Sequence, residues 1–316
     1  MDGIWLMKKK EFQLTGQDFH CSPFFSFVKA RIPGISTSLL EEFGARLVTH
    51  DLPGFVESDP HPGRNLNSSA LDMLHLTDAL GVVDKFWVVG YSGGGMHAWS
   101  ALRYIPDRVA GAAMFAPMAN PYDSKMSKDE KRKIWAGANA MSNLFWDKTL
   151  LEAPMFNASW EKDVAESVRQ ADAQPFVEEA VMQVSDWGFS LSDIQMQKKE
   201  DQKLKVYLLI LTAMTCLCTQ NESQMAGMDD RVVPPSATEF VRRMVPGATV
   251  HKLLDEGHFS YFCFCDECHR QIFSTLFGTP QGPIDPVPDA TPELEEETSA
   301  AHEEVADQEQ ETTGLA

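Results

Sequence analysis

At 316 residues, with 43% hydrophobic and 10% aromatic side chains, the chain is long enough for one large α/β domain or two small ones and can bury a sizeable core. Its formal net charge of −19, with no basic stripe to offset it, argues against a nucleic-acid partner. The longest strongly apolar stretch, Val206 to Cys218, has thirteen residues and is too short to span a bilayer. No signal peptide is evident at the start, so the expected location is cytoplasmic.

Residues 1–31 form an atypical N-terminal segment, and up to residue 35 no run is good enough to read as a strand. From Ser36 the pattern sharpens. Ser38 to Phe43 followed by Gly44 predicts a short helix with a glycine stop, and Ala45 to His50 a strand ended by Asp51-Leu-Pro-Gly54. Asn67-Ser-Ser opens a helix in which Met73, Leu76, Thr77 and Leu80 recur at helical spacing, and Gly81 closes it. A strand at Phe86 to Val89, a helix stopped by Pro106 and a buried strand at Val109 to Ala116 follow.

Strands alternating with helices at this rhythm predict a mostly parallel sheet wrapped by helices. The core is expected over 32–119 and 205–278. Between these stretches, 120–204 reads as a helical cap insertion rich in Trp and Met. The sheet resumes at Val206 to Leu211 and ends with a helix around Ala237 to Met244, a strand at Thr249 to Leu254 and a final helix. The segment 279–316 predicts a disordered acidic tail, because from Pro280 onward it holds eleven carboxylates and no Lys or Arg.

One stretch carries the chemistry. Lys85-Phe-Trp-Val-Val-Gly90-Tyr-Ser92-Gly-Gly-Gly95 is an apolar strand, a glycine-flanked serine and the start of a helix, the context of a nucleophile elbow. A serine at so tight a turn sits in a strained backbone, and its neighbours must lack Cβ atoms for strand and helix to pass. Gly90 and Gly94 are expected to supply that room, with Gly93 and Gly95 keeping the approach to the helix open. A serine nucleophile needs an imidazole to take its proton and a carboxylate to orient the imidazole, in the chain order Ser, acid, His. Downstream lie Gly227-Met-Asp-Asp230-Arg-Val-Val-Pro and, just past a predicted strand, Glu256-Gly-His258.

Taken in order, Asp51-Leu-Pro-Gly54, Gly90-Tyr-Ser92-Gly-Gly94, Gly227-Met-Asp-Asp230 and Glu256-Gly-His258 resemble the α/β-hydrolase fold family, most closely its small plant-like branch. The resemblance implies Ser92 as nucleophile, Asp230 as acid, His258 as base and the Gly93 N–H as one oxyanion donor. It also implies a serine hydrolase of carboxylester type, acting on a small ester-like molecule without metal or cofactor.

Asp229 and Asp123 are alternative acids, while His97, His50 and the remaining histidines read as structural. Family members start with a strand pair and a third strand that runs into a His-Gly loop, the source of the second oxyanion N–H. Here that loop is not found, His20-Cys-Ser-Pro23 stands near its place, and the chain looks N-terminally shortened. Val56 occupies the place of a family glycine. A non-catalytic binding protein of the same fold is therefore the alternative. Cys265 and Cys268 have the spacing of a zinc knuckle, but the segment reads as a helix.

Overall fold

The computed structural model describes residues 2–9, 36–56, 58–144, 173–194, 205–211, 232–253, 266–280 and 282. Among these, six strands form one sheet: β1 (Asp2–Lys9), β2 (Ala45–Val48), β3 (Phe86–Ser92), β4 (Val109–Phe115), β5 (Lys205–Leu211) and β6 (Thr249–Leu253). The order across the sheet is β2-β1-β3-β4-β5-β6. β3 to β6 run parallel, in the predicted α/β rhythm, and β1 runs antiparallel to both β2 and β3.

β1 corrects the reading of the first 35 residues. Its sequence has only four consecutive apolar residues, Ile4 to Met7, between polar ends. A strand bonded along both edges needs no alternation, and a short continuous run is enough. Leu6 pairs with Val48 on one side and Val88 on the other, so β1 ties β2 into the sheet.

The helices are α1 (Thr37–Glu42), α2 (Leu66–Ala79), α3 (Gly94–Tyr104), α4 (Lys128–Leu144), α5 (Gln174–Gln183), α6 (Pro235–Met244) and α7 (Asp266–Phe277), with one 3-10 turn at Leu191–Asp193. Ser36 caps α1, and Gly44 takes φ 56° just beyond its end. α2 starts earlier than predicted, because Asn65 and Ser68 form a reciprocal capping box there. Every residue of β3 is buried, as is α3 from Gly94 to Leu102. α3 is buried all round because it lies against β1, β3 and β4 on one side and α2 on the other. α7 joins through edge-to-face rings, with Phe273 on Phe43 at 5.5 Å and Phe277 on Trp87 at 5.9 Å. Among the described residues no helix is long and apolar enough to cross a membrane.

Of the expected cap, 120–204, the described parts are α4, α5 and the 3-10 turn, with no strand among them. The expected tail lies almost wholly outside the described residues.

Candidate active site

Ser92 is the last residue of β3, and α3 starts two residues later. Its backbone is in the left-handed region at φ 54°, where a residue with a Cβ is strained. The elbow is therefore present as a strained turn. A Cβ on Gly90 would come within 2.7 Å of the Gly94 carbonyl oxygen and 3.0 Å of the Gly95 nitrogen, both backbone atoms of the first turn of α3. Gly95, expected to keep the approach to the helix open, is crowded by the next loop, since a Cβ there would lie 2.6 Å from Pro117 Cβ.

The loop after β4 fixes the elbow from the other side. Met118 N–H donates to the Ser92 carbonyl at 3.0 Å, and Trp99 Nε1–H donates to the Met118 carbonyl at 3.3 Å.

The described residues hold three non-glycine residues with positive φ: Val56, Ser92 and Ala116. They lie after β2, at the end of β3 and after β4, three strands that run the same way and deliver their loops to one edge of the sheet. Backbone strain collects where function constrains the chain, and this edge is where it collects here. Gly93, at the start of α3, sits where backbone N–H groups have no helical acceptor, which favours negative charge.

Asp230 and His258 lie outside the described residues, as do Asp229, His20, Cys21, Ser22, Pro23 and Cys265. Asp123, the other acid considered, is committed elsewhere. Its Oδ2 accepts from Ser190 Oγ at 2.8 Å and Leu191 N–H at 3.1 Å, and its Oδ1 from Lys125 N–H at 2.8 Å. It anchors the 3-10 turn to the loop after β4. His269 is buried on α7, and burial pushes its pKa down to about 4 in spite of Asp266 nearby.

The direction of β1 bears on the oxyanion hole. Asp2 pairs with Ser92, and Lys9 stands at the far edge beside Ala45. β1 thus ends at the edge opposite Ser92, away from the edge where the resemblance expects the second oxyanion donor.

A charged cluster that the sequence reading missed lies beside the elbow. Glu179 of α5 is 0% exposed, with Arg64 Nη2 at 2.8 Å from Oε2 and His97 Nε2 donating to Oε1 at 2.6 Å. Burial pushes the Glu179 carboxyl upward, but the electrostatic attraction of His97 and Arg64 and the His97 hydrogen bond outweigh it and hold the group ionised. The Arg64 approach is close without hydrogen-bond alignment, and Arg64 Nε and Nη1 and His97 Nδ1 are buried without hydrogen-bond partners. His50, just past β2, is held down to about 4 by burial first, then by His97 and Arg64. No sequence motif joins these residues, which is why spacing alone could not find them. His97 spends its Nε2 on Glu179, so it does not stand as the base for Ser92.

The rest of the α5 contact is apolar, and Met182 packs against the main core. Pro175 Cγ lies where a Cβ on Gly54 would be, at 2.5 Å, and Phe176 meets Phe55 edge-to-face at 5.1 Å. Leu52, Phe55 and Val56, with Phe176, form an apolar cluster separate from the main core.

Among solved structures, an esterase from Thermogutta terrifontis shares 17% identity over 76% of this chain and 81% of its own, with a TM-score of 0.41. Carboxylesterases of the thaumarchaeon Nitrososphaera gargenis give 14%, 73%, 78% and 0.49, and a Pseudomonas aeruginosa hydrolase 18%, 74%, 79% and 0.48, in the same order. No curated protein matches the chain. The family model described as alpha/beta hydrolase fold matches residues 30–263, about three quarters of the sequence, and the chain belongs to that family of hydrolases.

Proposed function

We propose that the protein is a serine hydrolase of small carboxylic esters that works through an acyl-enzyme. The observation that carries this reading is Ser92, held at φ 54° at the strand-to-helix turn with Gly90 and Gly95 too crowded for any side chain. Ser92 Oγ attacks the ester carbonyl while His258 takes its proton, and Asp230 orients the imidazole. The Gly93 N–H donates to the oxyanion that forms. His258 then returns the proton to the leaving alkoxide, and water repeats the sequence on the acyl-Ser92 bond. The chemistry as written calls for no cofactor.

A fluorophosphonate probe tests this on the intact protein. Labelling is expected on Ser92 and absent in Ser92→Ala and His258→Ala. A folded protein that takes no label sinks the reading.

The second reading, a binding protein of the same fold with little or no turnover, is favoured by the direction of β1. If the oxyanion is left with one donor, about 100- to 1,000-fold of rate is lost. Labelling with slow turnover of every ester in a chain-length panel would select this reading.

A further inference from the structure

We propose that Arg64, Glu179 and His97 are positioning residues, a buried ion cluster that fixes helix α5 against the nucleophile elbow. The inference deepens the serine-hydrolase reading and rests on it for the role of Ser92. Three elements meet at the Glu179 carboxylate. Arg64 comes from the loop before α2, His97 from α3 five residues after Ser92, and Glu179 from the expected cap.

Beyond the cluster, α5 touches the loop after β2 at Gly54 and Phe55, at the same sheet edge. It thereby bridges the loop that carries Val56 and helix α3, which follows Ser92.

Why ions rather than apolar side chains? A buried ion pair is a poor source of stability, since desolvation opposes the attraction, and well-packed apolar residues often do as well or better. This cluster also leaves Arg64 Nε, Arg64 Nη1 and His97 Nδ1 unpaired. What it offers is a unique seating. Glu179 has one place along α5 at which its charge is compensated, and a helical residue one turn away would leave the carboxylate without Arg64. The small apolar cluster of Leu52, Phe55, Val56 and Phe176 has no such selectivity of its own. The charges specify where α5 sits, and hence the geometry beside Ser92.

The test uses the full chain with Glu179→Met and the pair Arg64→Met/Glu179→Met. The single change strands the Arg64 charge and should lower the Tm by about 10 °C. The double change removes the Arg64 charge together with its partner, and should recover most of that loss. Position, however, should not recover. In the double variant the amides of α5 are expected to exchange at least tenfold faster than in the native chain, and kcat/KM for a p-nitrophenyl ester series to fall at least tenfold, with a changed chain-length preference.

If the double variant matches the native chain in melting, exchange and ester profile, the cluster only stabilises and the proposal is overturned. If the native chain neither takes the probe nor hydrolyses any ester, the hydrolase reading fails by itself. The exchange of α5 then decides the positioning role, and unchanged protection in the double variant overturns it.

Discussion

The loops leaving β2 and β3 reach the same edge of the sheet, and each puts a non-glycine residue in the left-handed region, Val56 at φ 53° and Ser92 at φ 54°. Their surroundings differ. Around Ser92, Gly90 and Gly95 have no room for a side chain, and the obstacles to a Cβ on Gly90 are backbone atoms. Around Val56 the contacts are a few apolar side chains, and the obstacle at Gly54 is the ring of Pro175. One turn is fixed by the backbone of a buried helix, the other by a helix docked through apolar contacts and a buried polar cluster. The first is a rigid mount for Ser92, the proposed nucleophile, and the second can be repacked by substitution.

The largest expected effect follows from that rigidity. Gly90→Ala has no side chain to push aside, so the first turn of α3 must move. Overpacking of this kind should cost about 3 kcal/mol or more, and a nucleophile displaced by an ångström loses about 100-fold in rate. A Tm drop and the loss of ester hydrolysis would be measured together. An active Gly90→Ala protein with native Tm would show that the elbow has slack.

Acid should act next, through one histidine beside the softer turn and one on α7. In the unfolded chain His50 and His269 take up protons near pH 6.5, whereas in the folded protein each resists until about pH 4. The unfolded state therefore binds more protons in this window. Stability is full above about pH 6.5 and falls as the pH drops towards 4, by on the order of 2–3 kcal/mol for each histidine. Glu130 is held at about 2, by its hydrogen bond from Arg243 first, so its contribution goes only in a later window, below the ordinary Glu range. Melting curves between pH 7 and 4 check this, and His269→Leu should remove roughly half of the slope. A flat Tm over that range would contradict it.

How much of this was legible in the sequence follows the same division. The elbow could be read because its demands are local: glycines at fixed offsets from a serine, between an apolar strand and a helix. β1 could not be read so well, because a strand paired on both edges betrays itself only by four apolar residues, Ile4 to Met7. The start of α2 was placed late because Asn65, not Asn67, makes the capping bonds. The Arg64–Glu179–His97 cluster was hidden for another reason. Its members are separated by 33 and 82 residues in the chain, and a Glu on a helix reads as a solvated face until the fold buries it. Long-range burial of charge leaves no periodic trace.

The smallest effects compare the two turns most directly. Strain in the left-handed region amounts to about 1–2 kcal/mol for a residue with a Cβ. Ser92→Gly relieves it while losing little buried surface, so the protein should be stabilised by up to about 1 kcal/mol after the extra chain entropy of glycine, with probe labelling abolished. At Val56 the balance tips the other way. Removing its buried side chain costs about 2 kcal/mol, which cancels or exceeds the relief. Val56→Ala loses nearly the same burial and keeps a Cβ, and with it part of the strain. Val56→Gly should therefore melt a few degrees above Val56→Ala, although glycine is ordinarily the weaker residue of the two by about 0.5–1 kcal/mol. If Val56→Ala proves the more stable, the strain at this turn is not what holds the loop in place, and the likeness between the two turns is only one of dihedral angle.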